Sequence, residues 1–154
     1  GGDQERKRRA STQNIAGIVG MAKAIEICRE NMVSEKNLQT PLRDLLLEKI
    51  PQLIEGVKVN GDRINRLPNN AHFSFAGLSS ESLLMSLDMQ GMYASMGSAC
   101  TSGAMEPSHV LQAIGVDDSL AMGALRITIG RWTTQEHIED LLKALPKIVK
   151  SLRI

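Results

Sequence analysis

The stretch Ala124-Leu125-Arg126-Ile127-Thr128-Ile129 alternates strictly, so as a strand it puts Leu125, Ile127 and Ile129 on one side and Arg126 and Thr128 on the other. A strand that is apolar on one side only needs a second layer to cover that side. Val57-Lys58-Val59 and His72-Phe73-Ser74-Phe75 repeat the alternation, separated by turn chemistry at Asn60-Gly61-Asp62 and Pro68-Asn69-Asn70. Together they predict a mainly antiparallel sheet. Helical stripes supply the covering layer. The clearest runs through Ile138, Leu141, Leu142, Leu145, Ile148, Val149 and Leu152, with Pro146 predicting a kink or interruption inside it. Another starts at Ser79-Ser80-Glu81 and carries Leu83, Leu84 and Leu87. The fold class predicted is therefore α+β, with helices packed on a mainly antiparallel sheet. Thr133-Thr134-Gln135-Glu136 reads as a capping box in which Thr133 is the N-cap of the last helix.

Upstream of the sheet, Ile15, Ile18, Val19, Ala22 and Ile25 recur at helical spacing between Asn14 and about Met32. Cys28 falls on the apolar side of that helix, where a free cysteine is expected to pack as a small hydrophobe. A polar turn is expected next. Thr40-Pro41 then reads as N-cap and first-turn proline of a second helix carrying Leu42, Leu45, Leu46 and Ile50 and ending before Pro51. Glu106-Pro107-Ser108 predicts a further helix through Val110, Leu111 and Ile114, and a short one follows over 119–122.

Chemistry concentrates at two places. Cys100 sits in Gly97-Ser98-Ala99-Cys100-Thr101-Ser102-Gly103, among small residues with little bulk to bury it. A thiol is a nucleophile only as its thiolate, and an accessible loop suits that role; the alternative is an inert loop thiol. Arg126 lies on the polar side of its strand, where on the residues alone it reads as a surface or ion-paired arginine. His72, isolated at a strand opening, reads as a partly exposed ladder residue outside the site.

Several function classes recede. Lys+Arg 18 against Asp+Glu 17 gives the 154-residue chain a net charge of +1, so no global field favours nucleic acid or a membrane surface. No apolar run reaches the roughly 20 residues of a membrane span, and the start Gly1-Gly2-Asp3-Gln4-Glu5 has no signal-peptide pattern. The chain reads as cytoplasmic. Cys28 and Cys100 are too few for a disulfide framework, and His72, His109 and His137 share no metal-ligand spacing with them, so no metal site is expected.

From Leu67 to Gly103, and again from Glu106 to Glu139, the chain resembles the C-terminal part of the NifS/IscS-type cysteine desulfurases, fold-type-I enzymes that use pyridoxal phosphate (PLP). The resemblance rests on ordered blocks: Glu81-Ser82-Leu83-Leu84 with Leu87-Asp88, the Gly-Ser-Ala-Cys-x-Ser-Gly loop at 97–103, Glu106-Pro107-Ser108, and Leu125-Arg126-Ile127-Thr128-Ile129-Gly130-Arg131 with Thr133-Thr134. At the other end Gly1, Gly2, Gln4, Glu5, Arg9, Thr12 and Asn14 match a segment that in the family follows the PLP lysine. Asp3 and Ser11 depart from it, each standing where the family has glycine.

This likeness implies that Cys100 is the persulfide-forming nucleophile and that Arg126 binds the carboxylate of L-cysteine. It also implies that Thr12 contacts the PLP phosphate of a partner subunit across a homodimer; a solvated basic turn capping the next helix is the alternative for that segment. The implied reaction converts L-cysteine to L-alanine and passes sulfur to an iron-sulfur scaffold or another sulfur-acceptor protein. Residues 1–32 would be a remnant of the large PLP domain with its linking helix, and 33–154 the small domain. None of Lys7, Lys23, Lys36, Lys49, Lys58, Lys143, Lys147 and Lys150 lies in a Ser-x-His-Lys context. The resemblance places the PLP lysine upstream of residue 1, so the chain alone is expected to bind no PLP productively and to be inactive. Other expectations open at this point are a non-enzymatic sulfur-accepting or dimerisation module of the same fold and a selenocysteine lyase.

Overall fold

The computed structural model describes residues 2–96 and 107–153. The chain divides into two compact units, Gly1–Glu35 and Lys36–Ile154. The first opens with a hairpin in which β1 (Asp3–Gln4) pairs antiparallel with β2 (Arg9–Ala10). Its turn holds Glu5, Arg6 and Lys7 at φ of 52°, 57° and 65°, and Ser11 just beyond has φ 75°. These are left-handed conformations that glycine adopts far more readily. Arg9 Nη1 braces the turn by donating to the carbonyls of Ala10 (3.2 Å) and Ser11 (2.6 Å). Asn14 Oδ1 then accepts from the Gly17 amide at 2.9 Å, capping α1.

Helix α1 runs unbroken over Ile15–Leu53 with Pro41 and Pro51 inside it. This corrects the expected turn after Met32 and the expected end before Pro51. Ser34-Glu35-Lys36-Asn37 contains no breaker. Although an interior proline costs about 3 kcal/mol through the lost amide and the ring's clash one turn back, burial of Leu42, Leu46, Leu47 and Ile50 offsets it. Thr40 is accordingly no cap; its hydroxyl is buried without a hydrogen-bond partner. On the first unit's part of α1, Ile15, Ile18, Val19, Ile25 and Met32 are exposed. Cys28 is exposed as well, contrary to the packing expected of it, because no described side chains close over that face.

In the second unit, β3 (Val57–Val59), β4 (Asn70–Phe75) and β5 (Ala124–Thr128) form a three-stranded antiparallel sheet in that order. Its apolar face carries Phe73, Phe75, Leu125, Ile127 and Ile129. It shares one core with the second half of α1, with Leu83 and Leu87 of α2 (Ser80–Asp88), and with Ile138, Leu145, Ile148 and Val149 of α5 (Gln135–Leu152). The alternation read from the sequence thus buries the residues it designates. Gly123 enters β5 where a Cβ would overlap the Phe75 carbonyl oxygen, so only glycine allows the Phe75 amide to reach the Gly123 carbonyl at 2.9 Å.

The opposite face is polar, and among the described residues one end of it is covered. There α3 (His109–Ala113) and α4 (Asp118–Ala121) bring Leu111, Val116 and Ala121 onto Ala124, with Ser74 fully buried beside Ala124 in the strand register. Helix α5 begins one residue later than expected. Thr134, not Thr133, is the N-cap, exchanging hydrogen bonds with His137, while Thr133 Oγ1 accepts from the Gly130 amide at 3.0 Å. Pro146 lies inside α5 without interrupting it. Among the described residues no helix is long and apolar enough to cross a membrane.

Candidate active site

Arg126 is placed by the register of β5. Its neighbours Leu125 and Ile127 are buried in the core, so its own side chain projects from the polar face, as the alternation predicted. It is half-buried there. On one side its cross-strand partner is His72 of β4. On the other, Ser95 forms an isolated antiparallel bridge, with Arg126 N to Ser95 O at 2.7 Å and Ser95 N to Arg126 O at 3.0 Å. The side chains meet too, since Arg126 Nη2 donates to Ser95 Oγ at 3.1 Å.

Ser95 is a site residue that sequence reasoning missed, because a partner 31 residues away leaves no local signal. Its importance is positional. The expected nucleophile Cys100 falls within residues 97–106, outside the described residues. In sequence Cys100 follows Ser95 by five residues. Arg126 and Ser95 are brought together by main-chain and side-chain hydrogen bonds.

His72, expected to be a partly exposed ladder residue outside the site, stands beside Arg126 on the same face. Asn60 Nδ2 lies 2.9 Å from its Nδ1 and 2.8 Å from Ser74 Oγ, tying the strand ends together. With the amide nitrogen donating to Nδ1, the neutral ring carries its proton on Nε2. Burial, and then the charges of Arg126 and Arg66, push the imidazole pKa down from 6.5 to about 4, so the ring is neutral at pH 7. The signal available in the sequence was the alternation itself, which puts His72 on the polar side of its strand.

Arg66 donates from Nη2 to the Asn60 carbonyl at 2.7 Å, while its Nε and Nη1 are buried without partners among the described residues. Burial, then repulsion from Arg43, lowers its pKa. Arg43 is itself buried, spending its donors on Asp44 and the Leu67 carbonyl. A cavity of about 530 Å³ opens beyond the strand end between Tyr93, Thr128, His137 and Asp140, but neither Arg126 nor His72 lines it. The convergence of donors is thus on the sheet face and not in that cavity.

Thr12 is exposed in the first unit, directly after the left-handed Ser11. Each unit stands by itself, so Thr12 is placed by its own turn and Arg126 by the sheet. Of the groups that PLP would need, Thr12 has an exposed hydroxyl of the kind a phosphate could accept from, but none of the lysines is buried, whereas a lysine that forms a Schiff base is activated by desolvation or by a neighbouring cation.

Residues 2–141 match the family described as aminotransferase class-V. The chain is 50% identical over 155 residues to a cysteine desulfurase IscS of Clostridium botulinum (strain Hall), covering 99% of this chain and 39% of that protein. It is 48% identical over 153 residues to one from Dictyoglomus turgidum, with the same shares covered. Among solved structures, a NifS-like protein matches at TM-score 0.81 and 33% identity over 99% of this chain and 38% of the other. A NifS-like protein from Rickettsia africae matches at TM-score 0.82 and 25% identity over 97% and 39%. The chain thus spans about two fifths of the length of these proteins.

Proposed function

Since this chain belongs to the class-V aminotransferase family, we propose that it is the substrate-clamping and sulfur-receiving part of a cysteine desulfurase that converts L-cysteine to L-alanine. The observation that supports this most directly is the double tether between Arg126 and Ser95, which sets a carboxylate-binding fork at the start of the segment that carries Cys100.

Arg126 holds the amino-acid carboxylate through charge-assisted hydrogen bonds, leaving the substrate's thiol end free toward the cysteine segment. Cys100, as thiolate, forms an S–S bond with the substrate sulfur as the substrate Cβ–S bond breaks. The carbon skeleton keeps the electron pair of that bond, takes up a proton and leaves as L-alanine. PLP, when bound, supplies the electron sink that makes the Cβ–S bond labile. Thr12 would donate its hydroxyl to the phosphate of that cofactor in a partner subunit. The persulfide sulfur on Cys100 is then delivered to an iron-sulfur scaffold or another sulfur carrier. Residues 1–32 belong to the large domain of such an enzyme and 33–154 form its small domain. With no buried lysine to hold PLP, these 154 residues alone neither desulfurate cysteine nor release alanine.

The test is intact mass together with alanine release after incubation with L-cysteine and PLP, for this chain and for a chain of the relatives' full length that contains it. One added sulfur on Cys100 and alanine release only in the longer chain, both lost in Cys100→Ser, are expected. Alanine release by the short chain would sink the claim that it lacks the cofactor anchor. Failure of both chains would leave a sulfur-accepting module as the better reading.

A further inference from the structure

We infer that His72 is a second hydrogen-bond donor to the carboxylate that Arg126 binds, so that the anion is held between a charged fork on β5 and a neutral N–H on β4. The inference rests on the proposed role of Arg126 and extends it to a residue in the next strand.

Three observations carry it. His72 and Arg126 are register partners on the polar face, and directly opposed residues of an antiparallel pair have Cβ atoms about 4.5–5.5 Å apart, within reach of one small anion. Their hydrogen bonds are also complementary. His72 commits Nδ1 to Asn60, and Arg126 commits one nitrogen, Nη2, to Ser95. Among the described residues, no partner takes the His72 Nε2–H or the Nε and Nη1 donors of Arg126. Finally, the charged groups acting on the ring, Arg126 from β5 and Arg66 from the loop before β4, are both cations, and no carboxylate is among them. Among the described residues no carboxylate answers these donors, although the buried Asn60 Oδ1 beside the ring also stands without a donor, and an anion would satisfy the Nε2–H and the guanidinium together. Because the ring is neutral, it adds a directed donor beside Arg126 without adding like charge.

The chain itself can be tested by NMR with N-acetyl-L-alanine, whose acyl cap removes the ammonium charge, and with N-acetyl-L-alaninamide, which lacks the carboxylate. The ring nitrogens should report an Nε2–H tautomer. N-acetyl-L-alanine should shift both the His72 ring and the Arg126 Nε–H signals and should raise the His72 pKa, since a bound anion favours the imidazolium; the amide should do neither. His72→Phe should weaken carboxylate binding about tenfold, the loss of one hydrogen bond to a charged group, and His72→Gln, which restores an N–H, should recover most of it. Shifts at Arg126 with none at His72, or an Nδ1–H tautomer, would overturn the inference and leave Arg126 as sole clamp. No shift at either residue would overturn the proposed role of Arg126 along with it.

Discussion

Removing the His72 imidazole should flatten the acid limb of the stability curve. The folded chain holds this ring's pKa at about 4 against 6.5 ordinarily, so between those values the unfolded chain binds a proton that the folded one refuses. Stability contributed by the neutral ring is complete above pH 6.5, falls as pH drops through the window from 6.5 to 4, and is gone below it. At about 1.36 kcal/mol per pKa unit the whole drop amounts to about 3 kcal/mol, and water at the exposed edge of the half-buried ring reduces this to about 2 kcal/mol. The assay is urea unfolding of wild type and His72→Gln at pH 7 and pH 4.5. Carboxylates and the other histidines titrate in both chains, so the difference of differences isolates His72. Wild type should lose about 2 kcal/mol more than the variant, a midpoint shift of roughly 1 M urea at an m-value near 2 kcal/mol/M. Equal losses in the two chains would refute the reasoning, because the desolvation and the two arginines would then not be acting on this ring.

Two further outcomes follow from strained or orphaned groups. Thr40→Val removes a buried hydroxyl that has no partner at nearly unchanged shape and helix propensity, so it should stabilise the chain by about 1 kcal/mol, read as a rise in Tm of about 3–4 °C. A fall in Tm would mean that the hydroxyl is satisfied. Ser11→Gly relieves a non-glycine residue at φ 75° and should strengthen the hairpin by about 1 kcal/mol, or roughly fivefold in amide-exchange protection of 3–10; unchanged exchange would show that the left-handed backbone carries no strain there.

How much of this was legible depends on the range of each signal. The face of Arg126 could be read from five residues because pleating has a period of two and the flanking Leu125 and Ile127 are apolar. The sheet and the stripe of α5 were legible for the same reason. Thr40-Pro41 misled because the same pair serves equally at the first turn of a helix or inside a longer one, and only the core under Leu42 and Leu46 decides between them. Thr133 and Thr134 are alike as caps, and the choice fell to Thr133 Oγ1 accepting from the Gly130 amide. The pairing of Ser95 with Arg126, the bond from Asn60 to His72 and the exposure of Cys28 depend on contacts, or missing contacts, between distant segments. Periodicity is blind to those. Cys100 was singled out from its neighbours, and its segment falls outside the described residues.

The two faces of the sheet share a parity. Phe73 and Leu125 are buried as register partners, and the next pair along is His72 and Arg126. Slipping either strand by one residue would push phenylalanine and leucine into water and turn histidine and arginine into the core. The oily side therefore acts as a proofreader for the polar side. The donors of His72 and Arg126 are held in alignment by side chains on the other face of the sheet. Core substitutions at Phe73 or Leu125 should accordingly disturb the pairing of His72 with Arg126, read as shifts in their side-chain NMR signals.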